Sequence, residues 1–291
     1  MFQSIANMFP TQKMAESKIL SALWRILFYL FKPSASFVMR LPYYRALVFP
    51  KKGTLTRVLI RRGCWEKELT ERFASFVKPG GFVVDAGANF GNYALTASGL
   101  MKGEGLVLAF EPHPVTFGLL RQNIALQDKP VITAEQAALG DEPGELELVT
   151  DEDNPGGHSF NPGQVWRAGV SEKVRVVALD DYLAEHGITQ RLDLLKSDTE
   201  GFDFKVLKGA RKTIERDRPT VFCEVSPDGL REAGDNYEEL LTFFEDLGYR
   251  ASMQDKGSRR IVDMSFRDLS ALLADLKDDF RDVIFVHPGN R

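Results

Sequence analysis

The sequence contains few cysteines. Its 291 residues include only two, Cys64 and Cys223, which lie far apart in the chain. A disulfide framework needs several paired cysteines, and a cysteine-rich zinc site needs clustered ones, so neither kind of site is indicated. We interpret the two residues as ordinary reduced thiols.

The N-terminal region lacks an apolar run long enough to cross a bilayer. The run Ile19–Phe31 has thirteen residues, is interrupted by Arg25 and is followed by Lys32 and Pro33, whereas a membrane span needs about 20 apolar residues. Arg25 also argues against a secretory signal peptide. Two interpretations stay open: an amphipathic helix at a membrane surface, and a helix packed on the rest of the chain or on a second subunit of a homo-oligomer.

Acidic residues are almost absent from the first 65 residues. This segment has 11 Lys and Arg but one acid, Glu16, whereas the remaining 226 residues have 26 basic and 40 acidic side chains. The positive charge predicts contact between residues 13–62 and an anionic membrane surface, and the acidic remainder argues against a nucleic-acid partner. We therefore expect a cytoplasmic protein with a basic, helical extension over residues 1–60, which either contacts the inner face of the membrane or packs on the catalytic domain.

Residues 61–291 alternate between short apolar runs and helical patterns, which is typical of a single domain with a mostly parallel sheet. Strands are predicted at residues 82–85, 106–110, 131–134, 144–150, 173–179, 192–196, 220–225, 249–253 and 282–287. Helices are predicted at residues 66–77, 92–101, 114–126, 202–216 and 236–247. The loop Asp151–Gly163 is rich in Gly, Pro and Asn, and long loops in compact domains are often functional.

A glycine-rich turn follows the first of these strands. The segment VVDAGANFG (Val83–Gly91) places Asp85 at the strand end and Gly87, Asn89 and Gly91 in the turn before a helix. Glycine allows a ligand to approach the backbone closely at such a turn. By itself the turn would also suit a nicotinamide or flavin cofactor.

The next strand indicates which cofactor is expected. It ends in Glu111, 26 positions after Asp85, where a carboxylate can accept hydrogen bonds from both ribose hydroxyls of an adenosine. The pyrophosphate-binding pattern GxGxxG is absent, because Asn89 stands where the second glycine would be. S-adenosylmethionine (SAM) has no phosphate and is therefore favoured. The predicted cofactor-binding residues are Asp85, Gly87, Asn89, Gly91, Asn92, Glu111, Pro112 and Ala138.

The chain resembles the FkbM-type SAM-dependent methyltransferases. The resemblance rests on an ordered series of segments: VVDAGANFGNY (83–93), AFEPHP (109–114), AALGD (137–141), VALDDYL (177–183), LDLLKSDTEGFDFKVLKGA (192–210) and PTVFCEV (219–225). Ser197 and Thr199 stand where the family usually has apolar residues, and Asp203 replaces a Glu; the first 60 residues lie outside the resemblance. It implies a Rossmann-like class I fold, a doubly wound sheet of seven strands with a terminal antiparallel strand.

The resemblance also implies methyl transfer, often to a hydroxyl of a natural product, sugar or lipid. An alcohol needs a base to remove its proton, and ligands of open α/β sheets lie beyond the carboxyl ends of the strands. Asp198 and Glu200 follow the strand predicted at 192–196, and His158 lies in the Gly-rich loop, so these are the candidate catalytic residues. Lys196 and Glu224 are the candidate acceptor-binding residues. If the chain stays extended, Lys196, Asp198 and Glu200 share one face.

Other interpretations of these residues remain open. Asp198 could cap the following helix, and Glu200 could pair with Lys196 or with backbone amides. Asp198, Glu200 and Glu224 could bind magnesium, but their spacing does not require a metal and we predict none. A catalytically silent SAM-binding module for assembly or regulation is the alternative function, and a nicotinamide oxidoreductase is disfavoured by the glycine pattern.

Overall fold

The computed structural model describes residues 19, 22, 23, 26, 36–48, 58–59, 62–151, 168–277 and 279–290. The candidate base His158 and most of the loop 151–163 lie outside the described residues. Among the helices of the described part, none combines the length and apolar character needed to span a bilayer.

The predicted parallel sheet is confirmed and has eight strands. The strands are β3 Phe82–Ala86, β4 Leu106–Phe110, β5 Ile132–Glu135, β9 Leu194–Ser197, β10 Thr220–Val225, β11 Arg250–Gln254, β12 Ile261–Met264 and β13 Arg281–Val286. Their spatial order is β12-β11-β13-β10-β9-β3-β4-β5. The five strands from β10 to β5 are parallel, and β13 runs antiparallel to both of its neighbours.

The expected count of seven strands was wrong by one. The additional strand β12 pairs antiparallel with β11 at the edge of the sheet. It is only four residues long and none of them is fully buried. A short edge strand of this kind lacks the buried apolar run by which the other strands were predicted.

A second sheet of three strands lies beside the first. It consists of β6 Ala138–Leu139, β7 Gly144–Asp151 and β8 Ala168–Val177, in the order β6-β8-β7. The strand predicted at 173–179 begins five residues too late and ends two residues too late, because β8 starts at Ala168 and Leu179 begins a helix, Leu179–Glu185. The buried residues Leu179, Tyr182 and Leu183 follow the helical period rather than alternation.

Helices cover both faces of the central sheet. They are α1 Lys67–Ala74, α2 Asn92–Met101, α3 Pro114–Ala125, α4 Leu179–Glu185, α5 Asp203–Gly209, α6 Arg211–Asp217, α7 Pro227–Glu232, α8 Tyr237–Asp246 and α9 Phe266–Ala274. Alternate residues of each strand enter different cores: Phe82 and Val84 belong to one cluster, and Val83 to the other. The sheet is therefore buried on both sides, as its continuous apolar strands require.

The helix predicted over residues 202–216 is broken into α5 and α6 at Ala210. The last residue of α5, Gly209, is buried, and a Cβ atom there would overlap the backbone carbonyl of Gly140. Gly140 lies directly after β6 of the second sheet. The helix breaks at the point where the backbones of Gly209 and Gly140 come this close together. Periodicity alone could not reveal a contact with a residue so distant in the chain.

The N-terminal extension is not wholly helical, which corrects our expectation. Ile19, Ala22, Leu23 and Ile26 are helical, but β1 Phe37–Arg40 and β2 Arg45–Val48 form an antiparallel hairpin. The hairpin packs against α3, where the Leu47 N–H donates to Asn123 Oδ1 at 2.8 Å. Burial alternates along both strands of the hairpin with the strand period of two. Each strand has only four residues, so the sequence pattern was too short to predict them.

The contact at Gly209 generates a stability prediction. We expect Gly209→Ala to destabilise the protein by about 1–3 kcal/mol, because the added methyl group overpacks a backbone contact. The matched control is Gly118→Ala in α3, where a Cβ would meet nothing within 4 Å and helix propensity should add about 0.5–1 kcal/mol of stability. Urea unfolding of both variants measures the difference. Equal stabilities would contradict the interpretation of the Gly209 contact.

Candidate active site

The carboxyl ends of four neighbouring strands bring together the residues that the sequence singled out. Asp85 lies in β3, Glu111 follows β4, Asp198 follows β9, and Glu224 lies in β10. Parallel strands end at the same edge of a sheet, and this is where ligands bind in open α/β folds. The four residues therefore lie at one edge of the sheet, and their roles in a site stay predictions.

Gly87 lets the glycine-rich turn contact the loop that follows β9. Its φ angle is +75°, and a Cβ atom at this position would overlap the carbonyl oxygen of Asp198. The N–H groups of Gly87 and Ala88 both donate to the Phe110 carbonyl, at 3.0 and 2.9 Å. The turn is thus fixed between β4 and the loop carrying the candidate base.

Gly91 has a different reason to be glycine. Its φ angle is +102°, and a Cβ atom would lie 2.7 Å from Leu120 Cδ1. It is the N-cap of α2. Helix packing and backbone conformation therefore account for this glycine, and its role in cofactor binding stays a prediction.

Glu111 is held in one orientation by backbone amides. The Asn89 N–H donates to Oε2 and the His113 N–H to Oε1, each at 2.9 Å. Burial raises the pKa of the Glu111 carboxyl to about 7, although these two hydrogen bonds lower it. A carboxylate has about four acceptor sites, so two remain available for the hydroxyls of a ribose.

Asp85 is buried below the turn. Its Oδ2 accepts a hydrogen bond from the Ala94 N–H of α2 at 2.9 Å. Burial raises the pKa of Asp85 to about 7, opposed by the charge of Lys196, which is its register partner on β9. Asp85 thus orients the start of α2 and lies beside Lys196 in the sheet.

Lys196 and Asp198 form the ion pair of the site. Lys196 is only 1% exposed, and its Nζ lies 3.1 Å from Asp198 Oδ2 and 5.1 Å from the ring centroid of Tyr93. The expected shared face is confirmed for these two residues. It is wrong for Glu200, because β9 ends at Ser197 and Glu200 has a left-handed φ of 52°.

The alternative role of Asp198 as a helix cap is also wrong. The N-cap of α5 is Phe202, which makes no side-chain capping bond. Asp198 instead directs its carboxylate to Lys196. The side chain is about 30% exposed, so a ligand can reach it.

Further carboxylates surround the ion pair. Glu224 and Asp282 are register partners on β10 and β13, and Glu66 precedes α1. Burial raises the pKa of Glu224 well above its usual range, with Asp198 and Glu200 adding to the effect. Burial likewise raises the pKa of Asp282 to about 6 and of Glu66 to about 7. Burial lowers the pKa of Lys196, but the charge of Asp198 and the smaller contributions of the surrounding acids outweigh this and raise the pKa above its usual value.

Sequence reasoning missed Glu66, Tyr93 and Asp282. A signal existed for Asp282, because an antiparallel final strand begins at the edge where the parallel strands end. Tyr93 belongs to the segment 83–93 that carries the resemblance, but it has no charge to suggest a role. Glu66 lay in a predicted helix start, and only the fold brings it within reach of Lys196.

Other predicted residues have partners within the protein. Asn92 Nδ2 donates to Thr70 Oγ1 at 2.9 Å, and its Oδ1 accepts from the Tyr44 hydroxyl at 2.8 Å, so this side chain links three elements. Pro112 lies between Glu111 and His113 in the ribose-side loop, whereas Ala138 is buried in β6 of the second sheet. The part of the chain that the structure describes contains no group of three or more His, Cys, Asp or Glu arranged to hold a metal ion.

A comparison with known protein families shows to which family the chain belongs. The model of the methyltransferase FkbM domain matches residues 85–251, which is more than half of the chain. The chain belongs to the FkbM methyltransferase family. Its cofactor is SAM, and the residues present fit it: two of the acceptor sites of the Glu111 carboxylate are not used by the Asn89 and His113 amides and can take the hydroxyls of a ribose.

Curated relatives are also methyltransferases. The chain is 29% identical to methyltransferase sdnD of Sordaria araneosa over 58% of its own length and 73% of the relative. It is 31% identical to methyltransferase 1 of Beauveria bassiana, over 44% and 57% of the two chains. It is 30% identical to the 31-O-demethyl-FK506 methyltransferase FkbM of Streptomyces tacrolimicus, over 46% and 60%. The match thus spans less than two thirds of the latter two relatives.

Solved structures show weaker likeness. The methyltransferase FkbM of Methylobacillus flagellatus aligns with a TM-score of 0.44 at 16% identity, covering 79% of this chain and 52% of that one. The TYW2 protein of M. jannaschii, solved with AdoMet, aligns at 0.42 and 14%, covering 88% of each chain. We base the fold assignment on the strand order of the sheet itself.

Glu111 generates a binding prediction. We expect Glu111→Ala to weaken binding of S-adenosylhomocysteine roughly 10- to 100-fold, the effect of losing one or two hydrogen bonds to a charged acceptor. The control is Glu104→Ala, an exposed acid just before the opposite end of β4. Isothermal titration calorimetry measures both. Unchanged affinity in Glu111→Ala would remove Glu111 from the cofactor site.

The raised pKa of Glu111 is expected to make binding of S-adenosylhomocysteine depend on pH. The group is protonated below its pKa of about 7, and its ionised fraction then falls about tenfold per pH unit. Because the ionised carboxylate is the better acceptor for ribose hydroxyls, binding of S-adenosylhomocysteine should weaken severalfold from pH 8 to pH 6. Glu111→Gln should flatten this dependence; an unaltered slope would assign it to another group, such as Asp85.

Proposed function

We propose that this protein transfers the methyl group of SAM to a hydroxyl oxygen of a sugar, lipid or other small-molecule acceptor. One observation carries the proposal: Asp198 has its backbone carbonyl against Gly87 of the cofactor turn and its carboxylate in contact with Lys196. The candidate base thus lies beside the cofactor turn. The name of the Streptomyces tacrolimicus relative, a 31-O-demethyl-FK506 methyltransferase, supports oxygen as the acceptor atom.

The chemistry requires a base and an aligned acceptor. SAM supplies an activated methyl group, whereas a hydroxyl becomes a good nucleophile only as its proton leaves. In the proposed mechanism Asp198 Oδ1 or Oδ2 accepts that proton. Lys196 fixes the position of the carboxylate through its 3.1 Å contact, and Glu200 and Glu224 contact the acceptor from the neighbouring strand ends.

The alternative is a protein that binds SAM without catalysing transfer, as an assembly or regulatory module. The two functions share Asp85, the glycine turn and Glu111. They differ in whether Asp198 is needed for turnover. The partly exposed carboxylate of Asp198, held by a buried ammonium, favours the enzyme.

Asp198→Asn tests the enzyme directly. We expect it to lower kcat by about 10²- to 10⁴-fold, the contribution of a positioned general base, while binding of S-adenosylhomocysteine stays within a few-fold of wild type. The assay follows radioactive methyl transfer from SAM to a panel of hydroxylated small molecules, glycans and lipids. Asp181→Asn, a change of an exposed acid on α4, is the control and should retain full activity.

Two results would contradict this mechanism. Full activity of Asp198→Asn would exclude Asp198 as the base and direct attention to Glu200 and His158. Wild-type protein that binds S-adenosylhomocysteine but methylates no member of the panel would favour the silent module.

We further propose that the N-terminal segment contacts an anionic membrane surface, where a lipid-linked acceptor would be found. Ile19, Leu23 and Ile26 are helical, are spaced by four and three residues as on one helix face, and are 74%, 47% and 55% exposed. They belong to the segment with 11 basic residues and one acid. Apolar exposure and positive charge together favour interfacial binding.

Vesicle flotation checks this proposal. The protein should bind phosphatidylserine-containing vesicles and not purely zwitterionic ones, and the triple change Ile19→Ser, Leu23→Ser, Ile26→Ser should reduce binding at least tenfold. Val115→Ser, which removes a 74% exposed apolar residue of α3, is the control. Equal binding of the triple variant would overturn the assignment.

A further inference from the structure

Glu66 reaches the site from outside the matched family domain. The family match begins at residue 85, whereas Glu66 is the residue that precedes α1. The Tyr93 hydroxyl donates a hydrogen bond to Glu66 Oε2 at 2.7 Å, and the ring of Tyr93 lies 5.1 Å from Lys196 Nζ. A continuous chain of contacts therefore runs from Glu66 through Tyr93 and Lys196 to Asp198.

We propose that Glu66 is a positioning residue for the methyl-transfer site: by holding Tyr93 against the Lys196 ammonium, it fixes the direction in which Lys196 presents the Asp198 carboxylate. The inference rests on the proposed function, since it assigns Asp198 as the base. It also implies that the segment before the family domain completes the site.

The backbone conformation of Glu66 is unusual for a residue at the start of a helix. Its φ and ψ angles are 38° and 56°, a left-handed conformation that is unfavourable for a residue with a Cβ atom. Glu is not a favoured N-cap, and its side chain makes no capping bond. The conformation is maintained because α1 is anchored by Leu69 and Phe73, both buried. Such locally unfavourable conformations persist where the surroundings determine them and occur often at functional sites.

Tyr93, the hydrogen-bond partner of Glu66, is also held in place by its surroundings. Tyr93 is 6% exposed, and its ring packs edge-on against Phe73 with centroids 4.9 Å apart. Phe73 belongs to α1 and Tyr93 to α2, so one aromatic contact and one hydrogen bond join the same two helices. A small displacement of α1 would therefore move Tyr93 relative to Lys196.

Charges from every neighbouring element act on Lys196. Asp85 comes from β3, Asp198 and Asp203 follow β9, Glu224 lies on β10, Asp282 on β13, and Glu66 precedes α1. Removing Glu66 would have two effects, the loss of one negative charge among several and the loss of a hydrogen bond. Its negative charge can be compensated in part by the others, but its hydrogen bond to Tyr93 cannot.

Two variants distinguish the charge from the hydrogen bond. Glu66→Gln removes the charge and keeps an acceptor for the Tyr93 hydroxyl, whereas Glu66→Ala removes both. Tyr93→Phe keeps the ring and removes the donor. Glu71→Gln, an exposed acid on the same helix, is the control for a change of charge alone.

The first readout needs no acceptor. The side-chain ammonium of an immobilised buried lysine is expected to give a ¹H–¹⁵N NMR signal, which Lys196→Arg would assign. We expect this signal in the wild type, Glu66→Gln and Glu71→Gln, and its loss or broadening in Glu66→Ala and Tyr93→Phe. In all of these variants, calorimetric affinity for S-adenosylhomocysteine should stay within about twofold of wild type.

The second readout uses an acceptor found in the panel assay. Glu66→Ala and Tyr93→Phe should each lower kcat roughly 10- to 100-fold with little change in KM for SAM, as expected for a misplaced reacting group. The double variant should be no worse than either single one, because both act through one contact. Glu66→Gln should recover most of kcat, and the acid limb of its pH profile should move to lower pH, since a like charge leaves the network.

The outcomes separate the two proposals. An unchanged Lys196 signal in Glu66→Ala, or a parallel loss of S-adenosylhomocysteine affinity, would overturn the positioning role. Additive losses in the double variant would also overturn it, because Glu66 and Tyr93 would then act independently. A wild type without turnover would instead overturn the methyl-transfer proposal and leave Glu66 with only a structural contact to the Lys196 network.

Discussion

The Lys196 ammonium is the interaction on which the carboxyl edge of the sheet depends. It is almost fully buried among acids contributed by separate strands and by the segment before α1. An uncompensated carboxylate in such a place would cost several kcal/mol. One ammonium cannot neutralise every acid, and burial raises the pKa values of Glu66, Asp85 and Asp282. Several of these acids are therefore expected to share protons at neutral pH rather than to carry full negative charges.

Much of the central sheet could be predicted because its strands are buried on both faces. Such strands appear as apolar runs ending in turn residues, and β4 and β10 were predicted with their observed bounds. Elements with one-sided or partial burial were missed: the hairpin β1–β2, the edge strand β12 and the helix α4. In these, tertiary packing rather than a strong local pattern decides the structure.

The candidate site was predictable to the extent that it follows from strand ends. Asp85, Glu111, Asp198 and Glu224 could be assigned to one edge from the parallel topology alone. Glu66 and Tyr93 could not, because no rule of sequence spacing places the start of α1 beside β9. The role of Asn92 was similarly hidden, since its amide is engaged by Tyr44 and Thr70 from two distant segments.

Two departures from the family pattern contact each other. Ser197 and Asp203 are two of the positions at which the resemblance implies another residue in the family, and the Ser197 hydroxyl donates to Asp203 Oδ1 at 2.5 Å. A buried hydroxyl needs a partner, and Asp203 provides it at the start of α5. The two residues thus form one buried hydrogen bond close to the candidate base.

The backbone contact between Gly87 and Asp198 restricts how this enzyme can diversify. Gly87 cannot gain a side chain unless the backbone at Asp198 moves, so the cofactor turn and the backbone of the base-bearing loop are expected to evolve as a unit. Segments that take no part in this contact, such as the hairpin β1–β2, can vary in sequence without displacing the cofactor turn.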